Sequence, residues 1–118
     1  MNVQIQFLEN IKELTIPIIK LTKSKNGKTG TATFIFVNPN IFNYLKDNKN
    51  IISGLYLVWE NKKIITKDLI VIFNEGKPYI IKAIFIFKNN KEWFNFLKFI
   101  ACYSKETGLS FFDTNSTN

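Results

Sequence analysis

Residues 80–107 read IIKAIFIFKNNKEWFNFLKFIACYSKET, a stretch that changes from a strand pattern to a helix pattern within a few residues. Its first nine residues have apolar side chains in both alternating sets, which predicts a central strand with two largely apolar faces. The two sets are Ile81, Ala83, Phe85 and Phe87, and Ile80, Lys82, Ile84, Ile86 and Lys88. From Asn90 the apolar residues recur at helical spacing, so we expect a helix that ends near Gly108 and packs on the sheet.

The spacing within this helix predicts which of its side chains are buried. The expected buried stripe consists of Trp93, Phe96, Leu97, Ile100, Ala101 and Ser104. Phe99 falls outside that stripe, which makes it a candidate for contact with a partner, against the alternative of an aromatic at the edge of the core. The single cysteine, Cys102, lies opposite the stripe and indicates an inert thiol in a reducing compartment.

Shorter patterns upstream of this unit predict further strands and turns. Strands are expected at residues 3–7, 18–22, from Thr31, at 52–60, and at 64–74 with a break around Lys67 and Asp68. Helical turns are expected within residues 8–15 and at 41–44. In the strand from Thr31, one face is apolar and the other is partly polar, so we expect the second face to meet solvent.

The fold class predicted from these patterns is α+β. We expect an antiparallel sheet of about five strands packed against the long C-terminal amphipathic helix, with short helical turns. Residues 1–112 are expected to form one domain, and the polar tail DTNSTN, residues 113–118, to be disordered. No apolar run approaches the ~18 residues of a membrane span. The start MNVQIQF shows neither a secretory leader nor a transit peptide.

The charge of the chain is strongly one-sided. All 16 basic residues are lysines, and the formal net charge is +7, which attracts anionic partners in general. Lysine, isoleucine, asparagine and phenylalanine share AT-rich codons, so we infer an AT-biased, organellar genome, to which part of the lysine excess is due. Lysine lacks the bidentate fork of arginine, so its contacts are softer point-charge contacts.

Catalysis is disfavoured by the residues that are missing. The chain has no histidine, and its carboxylates are few and scattered, so no paired acid and base is visible. One cysteine cannot build a structural zinc site, and the GKTG at residues 27–30 lacks the GxxxxGK[ST] frame of a phosphate-binding loop. We therefore expect no enzymatic activity, no cofactor, no metal and no small-molecule substrate.

A basic loop stands out between the second and third predicted strands. Lys23, Lys25 and Lys28 surround Gly27 and Gly30, two glycines that tolerate positive φ, so the segment can turn sharply while it displays cations. The pattern is typical of a basic hairpin. Without further information, a solvated turn and a docking loop are equally good interpretations.

Four segments in this order and spacing resemble one known family. They are LTKSKNGKTGTATFIF at residues 21–36, PNIF at 39–42, FNEGKP at 73–78 and EWFNFLKFIACYSKETGL at 92–109. In these segments the chain is similar to the Psb28 family of photosystem II accessory proteins. The resemblance extends from about Ile5 to Phe111, nearly the whole chain.

The resemblance implies a function and a set of partners. Members of the family are non-catalytic proteins with an antiparallel sheet and helices, which bind photosystem II assembly intermediates and leave before the mature complex forms. Their partners are the two reaction-centre core subunits and the inner chlorophyll antenna, whose C-terminal tail can join the sheet. Docking perturbs the quinone acceptor side. The implied location is peripheral, on the stromal or cytoplasmic side of a plastid or cyanobacterial thylakoid membrane.

The expected partner-binding residues follow from the basic loop and from strand addition. Backbone groups of an edge strand give affinity, and a flanking basic patch gives orientation. The patch is expected at Lys23, Ser24, Lys25, Lys28 and Thr29, and the pairing surface near Thr31, Thr33 and Ile35. Which strand forms the edge is left open by the sequence.

Three departures from the family pattern bear on these expectations. Lys23 and Lys25 stand where the family typically has arginine, which puts a bidentate carboxylate contact in doubt. Trp59 replaces an acidic or polar residue and is either an exposed contact or a filler of the core. Thr107 occupies a position often held by histidine, so a pH-sensing role there is dismissed.

A small basic nucleic-acid binder is the alternative function. The charge of +7 and the 15% aromatic content are compatible with phosphate attraction and base stacking on a sheet. However, Phe34, Phe36, Phe85 and Phe87 occupy the alternation expected of a core face. None of them lies in a recognisable RNA-binding motif. The docking function is therefore preferred.

Overall fold

The computed structural model describes residues 3–25, 29–45, 51–109 and the backbone of 112–113. Within this part the chain forms eight strands and one α-helix. The strands are β1 (Gln4–Gln6), β2 (Ile18–Lys23), β3 (Gly30–Val37), β4 (Leu55–Trp59), β5 (Lys62–Thr66), β6 (Leu69–Asn74), β7 (Lys77–Phe87) and β8 (Phe112–Asp113). A 3-10 helix spans Asn40–Tyr44, and α1 spans Asn90–Thr107.

The strands form two sheets. The larger has the order β6-β7-β3-β2-β8 and the smaller the order β1-β4-β5. All pairs are antiparallel except β2 with β8, which is parallel. The predicted α+β class is confirmed, and the larger sheet has five strands. Asp113, which was assigned to the tail, pairs with Leu21; the rest of the predicted tail lies outside the described residues.

The break predicted at Lys67 and Asp68 marks the passage between the two sheets. The Thr66 hydroxyl donates to the Ile84 carbonyl at 2.6 Å, and the Ile84 N–H donates to the Asp68 carbonyl at 3.0 Å. These bonds fix the chain against β7 as it leaves β5. Residues 64–74, predicted as one strand with a break, thus belong to two strands in different sheets.

Strand β7 is central in the larger sheet, as its pattern predicts. It pairs with β6 on one side and β3 on the other. Ile81, Ala83, Phe85 and Phe87 are at most 3% exposed, whereas Ile86 on the other face is 61% exposed. The described residues therefore cover one face of β7 and leave the other open.

Helix α1 covers the buried face and is fixed at both ends. The Asn89 side chain accepts from the Glu92 N–H at 2.9 Å, and the Glu92 carboxylate accepts from the Lys88 N–H at 2.7 Å, a reciprocal arrangement that satisfies otherwise unpaired N–H groups. At the other end Gly108 adopts a φ of 74° and donates to the Ser104 carbonyl at 2.8 Å. The predicted helix bounds are therefore confirmed.

The buried stripe of α1 differs from the predicted one. Its buried residues are Trp93, Phe96, Phe99, Ile100 and Tyr103. Ala101 is exposed. Phe99 is 0% exposed and packs edge-on against Trp59, with ring centroids 5.4 Å apart. Of the two alternatives for Phe99, the position in the core is the correct one, because the smaller sheet supplies a second surface that the helix covers.

An aromatic cluster fills the space between α1 and the larger sheet. Phe87 stacks on Phe96 with centroids 4.7 Å apart and meets Trp93 edge-on at 5.6 Å. A Cβ on Gly30 would lie 2.7 Å from the Trp93 ring, so this position requires glycine for space. The positive φ expected at Gly30 is absent, and Gly27 lies outside the described residues.

One buried carboxylate organises the segment after β1. Glu13 is 4% exposed and accepts from the backbone N–H groups of Thr15, Asn40 and Ile41 at 2.9, 2.7 and 2.8 Å. It thereby satisfies donors at the start of the 3-10 helix.

The helical turn expected in residues 8–15 is wrong; the chain instead turns at Asn10, with a φ of 69°. Burial, with a smaller contribution from the charge of Glu13, raises the pKa of Tyr103 to about 12.

Candidate docking site

The basic loop joins β2 to β3 and is closed at its base by two hydrogen bonds. The Ser24 N–H donates to the Thr29 carbonyl at 3.0 Å, and the Thr29 N–H donates to the Ser24 Oγ at 3.2 Å. Lys23 ends β2 opposite Gly30, and Lys23 and Lys25 are both exposed. Lys28 lies outside the described residues. Four of the five predicted patch residues are therefore placed together at one end of the larger sheet.

The predicted pairing residues lie on the outer face of β3, the face turned away from α1. Thr31, Thr33 and Ile35 are half-buried and alternate with the buried Ala32 and Phe34. Each of the three is paired to β2 on one side and to β7 on the other. Their backbone groups are thus used within the sheet. The expectation that a partner strand pairs at these residues is corrected by this register, whereas their side chains stay on an accessible face.

An available edge of the larger sheet lies at β6. This strand pairs with β7 alone among the described strands. Because the Ile84 N–H points toward the β6 side of β7 and backbone direction alternates along a strand, Ile70 and Ile72 direct their backbone groups to β7. Val71 and Phe73 then direct their N–H and C=O groups to the free edge. These groups are available to a partner strand.

The side chains of β6 are exposed as well as its edge backbone groups. Ile70, Val71, Ile72 and Phe73 are 48%, 39%, 41% and 62% exposed, so both sides of this strand meet solvent. Natural edge strands usually carry lysine, proline or a covering element that blocks pairing with another chain. The six residues of β6, LIVIFN, contain neither lysine nor proline.

A tight turn joins β6 to β7. Glu75 and Gly76 have φ values of 52° and 79°, as in the two-residue hairpin turns that match strand twist. Tyr79, on the far side of this turn, is 40% exposed. The sequence predicts this turn, since Glu75, Gly76, Lys77 and Pro78 close a hairpin between two apolar stretches. The edge position of β6 does not follow from the sequence, because residues 64–74 are predicted as one strand with a break.

The described residues lack two further kinds of feature. They contain no helix long and apolar enough to cross a membrane. The same residues hold no group of three histidine, cysteine, aspartate or glutamate side chains that could bind a metal ion.

Comparison with known proteins identifies the family. The model of the Psb28 protein family matches residues 5–111. A photosystem II reaction center Psb28 protein of Guillardia theta is 39% identical over 113 residues, 96% of this chain and 97% of that protein. The proteins of the same name from Pyropia yezoensis and Rippkaea orientalis are 39% and 42% identical, over 95% and 92% of this chain and 97% and 93% of theirs. The chain belongs to the Psb28 family.

Proposed function

We propose that this chain is a non-catalytic photosystem II assembly factor. It docks transiently on the stromal or cytoplasmic face of assembly intermediates, as a peripheral protein of the thylakoid membrane, and protects or perturbs the quinone acceptor side. Support comes from the relatives, each of which is named a photosystem II reaction center protein. Its partners are the core subunits and the inner antenna.

The mode of docking that we propose is strand addition at β6. The observation that carries it is the free edge of that strand, with the backbone groups of Val71 and Phe73 directed outward beside exposed apolar side chains. Main-chain hydrogen bonds to such an edge give affinity, and side chains in alternating positions give specificity. The C-terminal tail of the inner antenna, an extended segment, is the proposed added strand.

The basic patch of Lys23, Ser24, Lys25, Lys28 and Thr29 has a separate place in this proposal. Because Gly30 pairs with Phe87 and Val37 pairs with Ile80, the patch and the β6–β7 hairpin turn lie at opposite ends of β3. Eight residues of strand separate them by about 25 Å. The patch therefore orients the protein by a second contact, away from the paired edge.

Proline at position 71 tests the docking edge. The Val71→Pro variant removes an N–H that is not used within the sheet, and proline is tolerated at such edges. The loss of one intermolecular hydrogen bond, with blocked pairing around it, is expected to lower docking about tenfold. Val71→Thr is the matched control, because it alters the side chain and keeps the donor.

The readout is native-gel fractionation of detergent-solubilised thylakoid membranes, with mass spectrometry of the co-migrating proteins. The wild type and Val71→Thr are expected with immature photosystem II, and Val71→Pro is expected to be depleted there. Charge reversal at Lys23 and Lys25 is run on the same gel and is expected to weaken co-migration. Wild-type behaviour of Val71→Pro would overturn the role of β6; failure of every variant, the wild type included, would overturn the assembly function.

The burial of four described phenylalanines argues against the nucleic-acid alternative. Phe34 and Phe36 are 0% exposed, and Phe85 and Phe87 are 3% exposed, so these rings cannot stack on bases. Base stacking on a sheet needs aromatic side chains on its open face. The outward strand positions on the open face of this sheet are mainly aliphatic and hold no aromatic side chain on β2, β3, β6 or β7.

A further inference from the structure

The outer face of the larger sheet has a composition unlike that of the inner one. Outward positions on β2, β3, β6 and β7 are occupied by Ile18, Lys20, Thr22, Thr31, Thr33, Ile35, Val37, Ile70, Ile72, Ile80, Lys82, Ile84 and Ile86. Most are aliphatic, three are threonine and two are lysine. Five of the aliphatic side chains, Ile18, Val37, Ile70, Ile72 and Ile86, are between 41% and 61% exposed.

The register joins these side chains into continuous rows. One row runs across four strands as Ile18, Ile35, Lys82 and Ile70, and the next runs across three as Val37, Ile80 and Ile72. Side chains opposite one another in a sheet are in contact distance. The two rows therefore form one contiguous apolar surface near the β6–β7 hairpin, of the kind that marks an interaction site on a soluble surface.

The charge at the thirteen outward positions has a single sign. Lys20 and Lys82 point outward, and none of the thirteen positions holds a carboxylate. Neither lysine takes part in an ion pair among the described residues, in which Lys63 pairs with Glu9 in the region of the smaller sheet. Lys20 is exposed and Lys82 is half-buried, so both can meet carboxylates of a partner that covers this face. Lys82 stands inside the first apolar row, between Ile35 and Ile70.

We propose that this outer face is a second docking surface, which receives an apolar protein segment bordered by carboxylates. The proposal rests on the proposed function, since the segment belongs to the same photosystem II complex whose strand pairs at β6. The partner segment covers the outer face of the sheet in the way that α1 covers the inner face. The carboxylates meet Lys20 and Lys82, and the apolar side chains cover the two rows.

Two other occupants fit these observations less well. A second copy of the chain would set lysine against lysine, with a charge of +7 on each copy. A lipid surface would favour tryptophan or tyrosine among the apolar side chains, and the thirteen outward positions contain neither. The observations therefore favour a protein segment with negative charge.

Charge reversal tests the surface against a control of equal charge. The double variant Lys20→Glu with Lys82→Glu changes the net charge by the same amount as Lys91→Glu with Lys98→Glu, two exposed lysines of α1. Binding to detergent-solubilised photosystem II assembly complexes is expected to fall about tenfold for the first pair, and by less than about twofold for the second. Equal effects of the two pairs would overturn the proposal, because net charge alone would then explain them.

A photo-crosslinking residue at Ile18 gives a second, independent readout. This side chain is 45% exposed and lies in the first apolar row, three strands away from the β6 edge, so the variant is expected to fold. Cross-linked peptides from a photosystem II subunit, with apolar residues next to aspartate or glutamate, would support the proposal. Cross-links to lipid or to a second copy of this chain, or none in a complex that has formed, would overturn it.

The experiment separates failure of the surface from failure of the proposed function. If Val71→Pro loses docking while Lys20→Glu with Lys82→Glu retains it, the outer face is not a docking surface and the β6 edge stands. If wild-type protein fails to bind photosystem II complexes at all, the proposed function fails with it. Circular dichroism and thermal unfolding of each variant establish that the fold is intact, and Lys82→Gln replaces Lys82→Glu if the latter does not fold.

Discussion

The inner and outer faces of the larger sheet are built from the same strands and have opposite environments. On β7 the inner Ile81 is 0% exposed, whereas Ile86, five residues along the same strand, is 61% exposed. Both are isoleucines in a strand that is apolar on both faces. Hydrophobic patterning therefore identifies side chains that can be buried, and the presence of a second layer decides which of them are buried within this chain.

The chemistry of the two faces also differs. The inner face carries the rings Phe34, Phe36, Phe85 and Phe87. Phe34, Phe85 and Phe87 contact Phe96 of α1, Phe87 also contacts Trp93, and Phe36 packs against Phe7 and Phe34. The outer face carries β-branched aliphatics, threonines and two lysines. Aromatic side chains bury a large area and specify one packed arrangement, whereas short β-branched side chains suit a pleated surface that another protein can cover.

The largest expected loss of stability comes from a substitution at the centre of the inner layer. Phe96→Ala is expected to lower the free energy of unfolding by about 3–5 kcal/mol, because a fully buried ring leaves a cavity. Phe94→Ala is the matched control on the same helix, with a side chain 62% exposed, and is expected to change it by less than about 0.5 kcal/mol. Urea denaturation measures both; equal losses would contradict the placement of α1.

A smaller effect is expected where β3 meets α1. Gly30→Ala places a Cβ 2.7 Å from the Trp93 ring, and such overpacking is expected to lower the free energy of unfolding by about 1–3 kcal/mol. In a Trp93→Leu background the same change should lower it by less, since the obstructing ring is gone. A double-mutant cycle on thermal unfolding tests this coupling, and additive losses would show that Gly30 is needed for another reason.

The smallest effect is expected on the outer face. Ile86→Thr keeps a β-branched side chain at an exposed position and is expected to change the free energy of unfolding by no more than about 0.5 kcal/mol. Ile81→Thr, on the inner face of the same strand, is expected to lower it by more than about 2 kcal/mol, because it buries a hydroxyl and removes apolar contact. Comparable losses in denaturant titrations would mean that the outer face is already covered in the isolated protein.

The agreement between sequence and fold is best where the signals are local. The strand β7, helix α1, the glycine cap at Gly108 and the buried alternation of Ala32, Phe34 and Phe36 all follow from spacing and from turn chemistry. The position of Trp59 in the core, 1% exposed, settles an alternative that spacing left open. Local patterns succeed here because the period of a helix or strand is visible in the spacing of its own apolar residues.

The expectations that failed concern neighbours distant in the chain. The predicted pairing surface at Thr31, Thr33 and Ile35 lies on a strand that has partners on both sides, and the predicted buried stripe of α1 leaves out Phe99. Glu13 was not singled out, because its partners at Asn40 and Ile41 lie 27 and 28 residues away. Lys23, Ser24, Lys25 and Thr29 lie together at one end of the larger sheet, Lys28 lies outside the described residues, and the role of the patch in binding stays a proposal.

The sequence by itself determined the secondary structure around the basic loop, the long strand and the helix, together with the family to which the chain belongs. Tertiary structure alone decided that β6 is an edge, that β3 is central and that one face of the sheet is left open. The physical reason is that alternation assigns side chains to two faces of a strand but says nothing of what lies beside or above it. Those choices depend on which strands pair and on helix α1, which covers one face of the sheet.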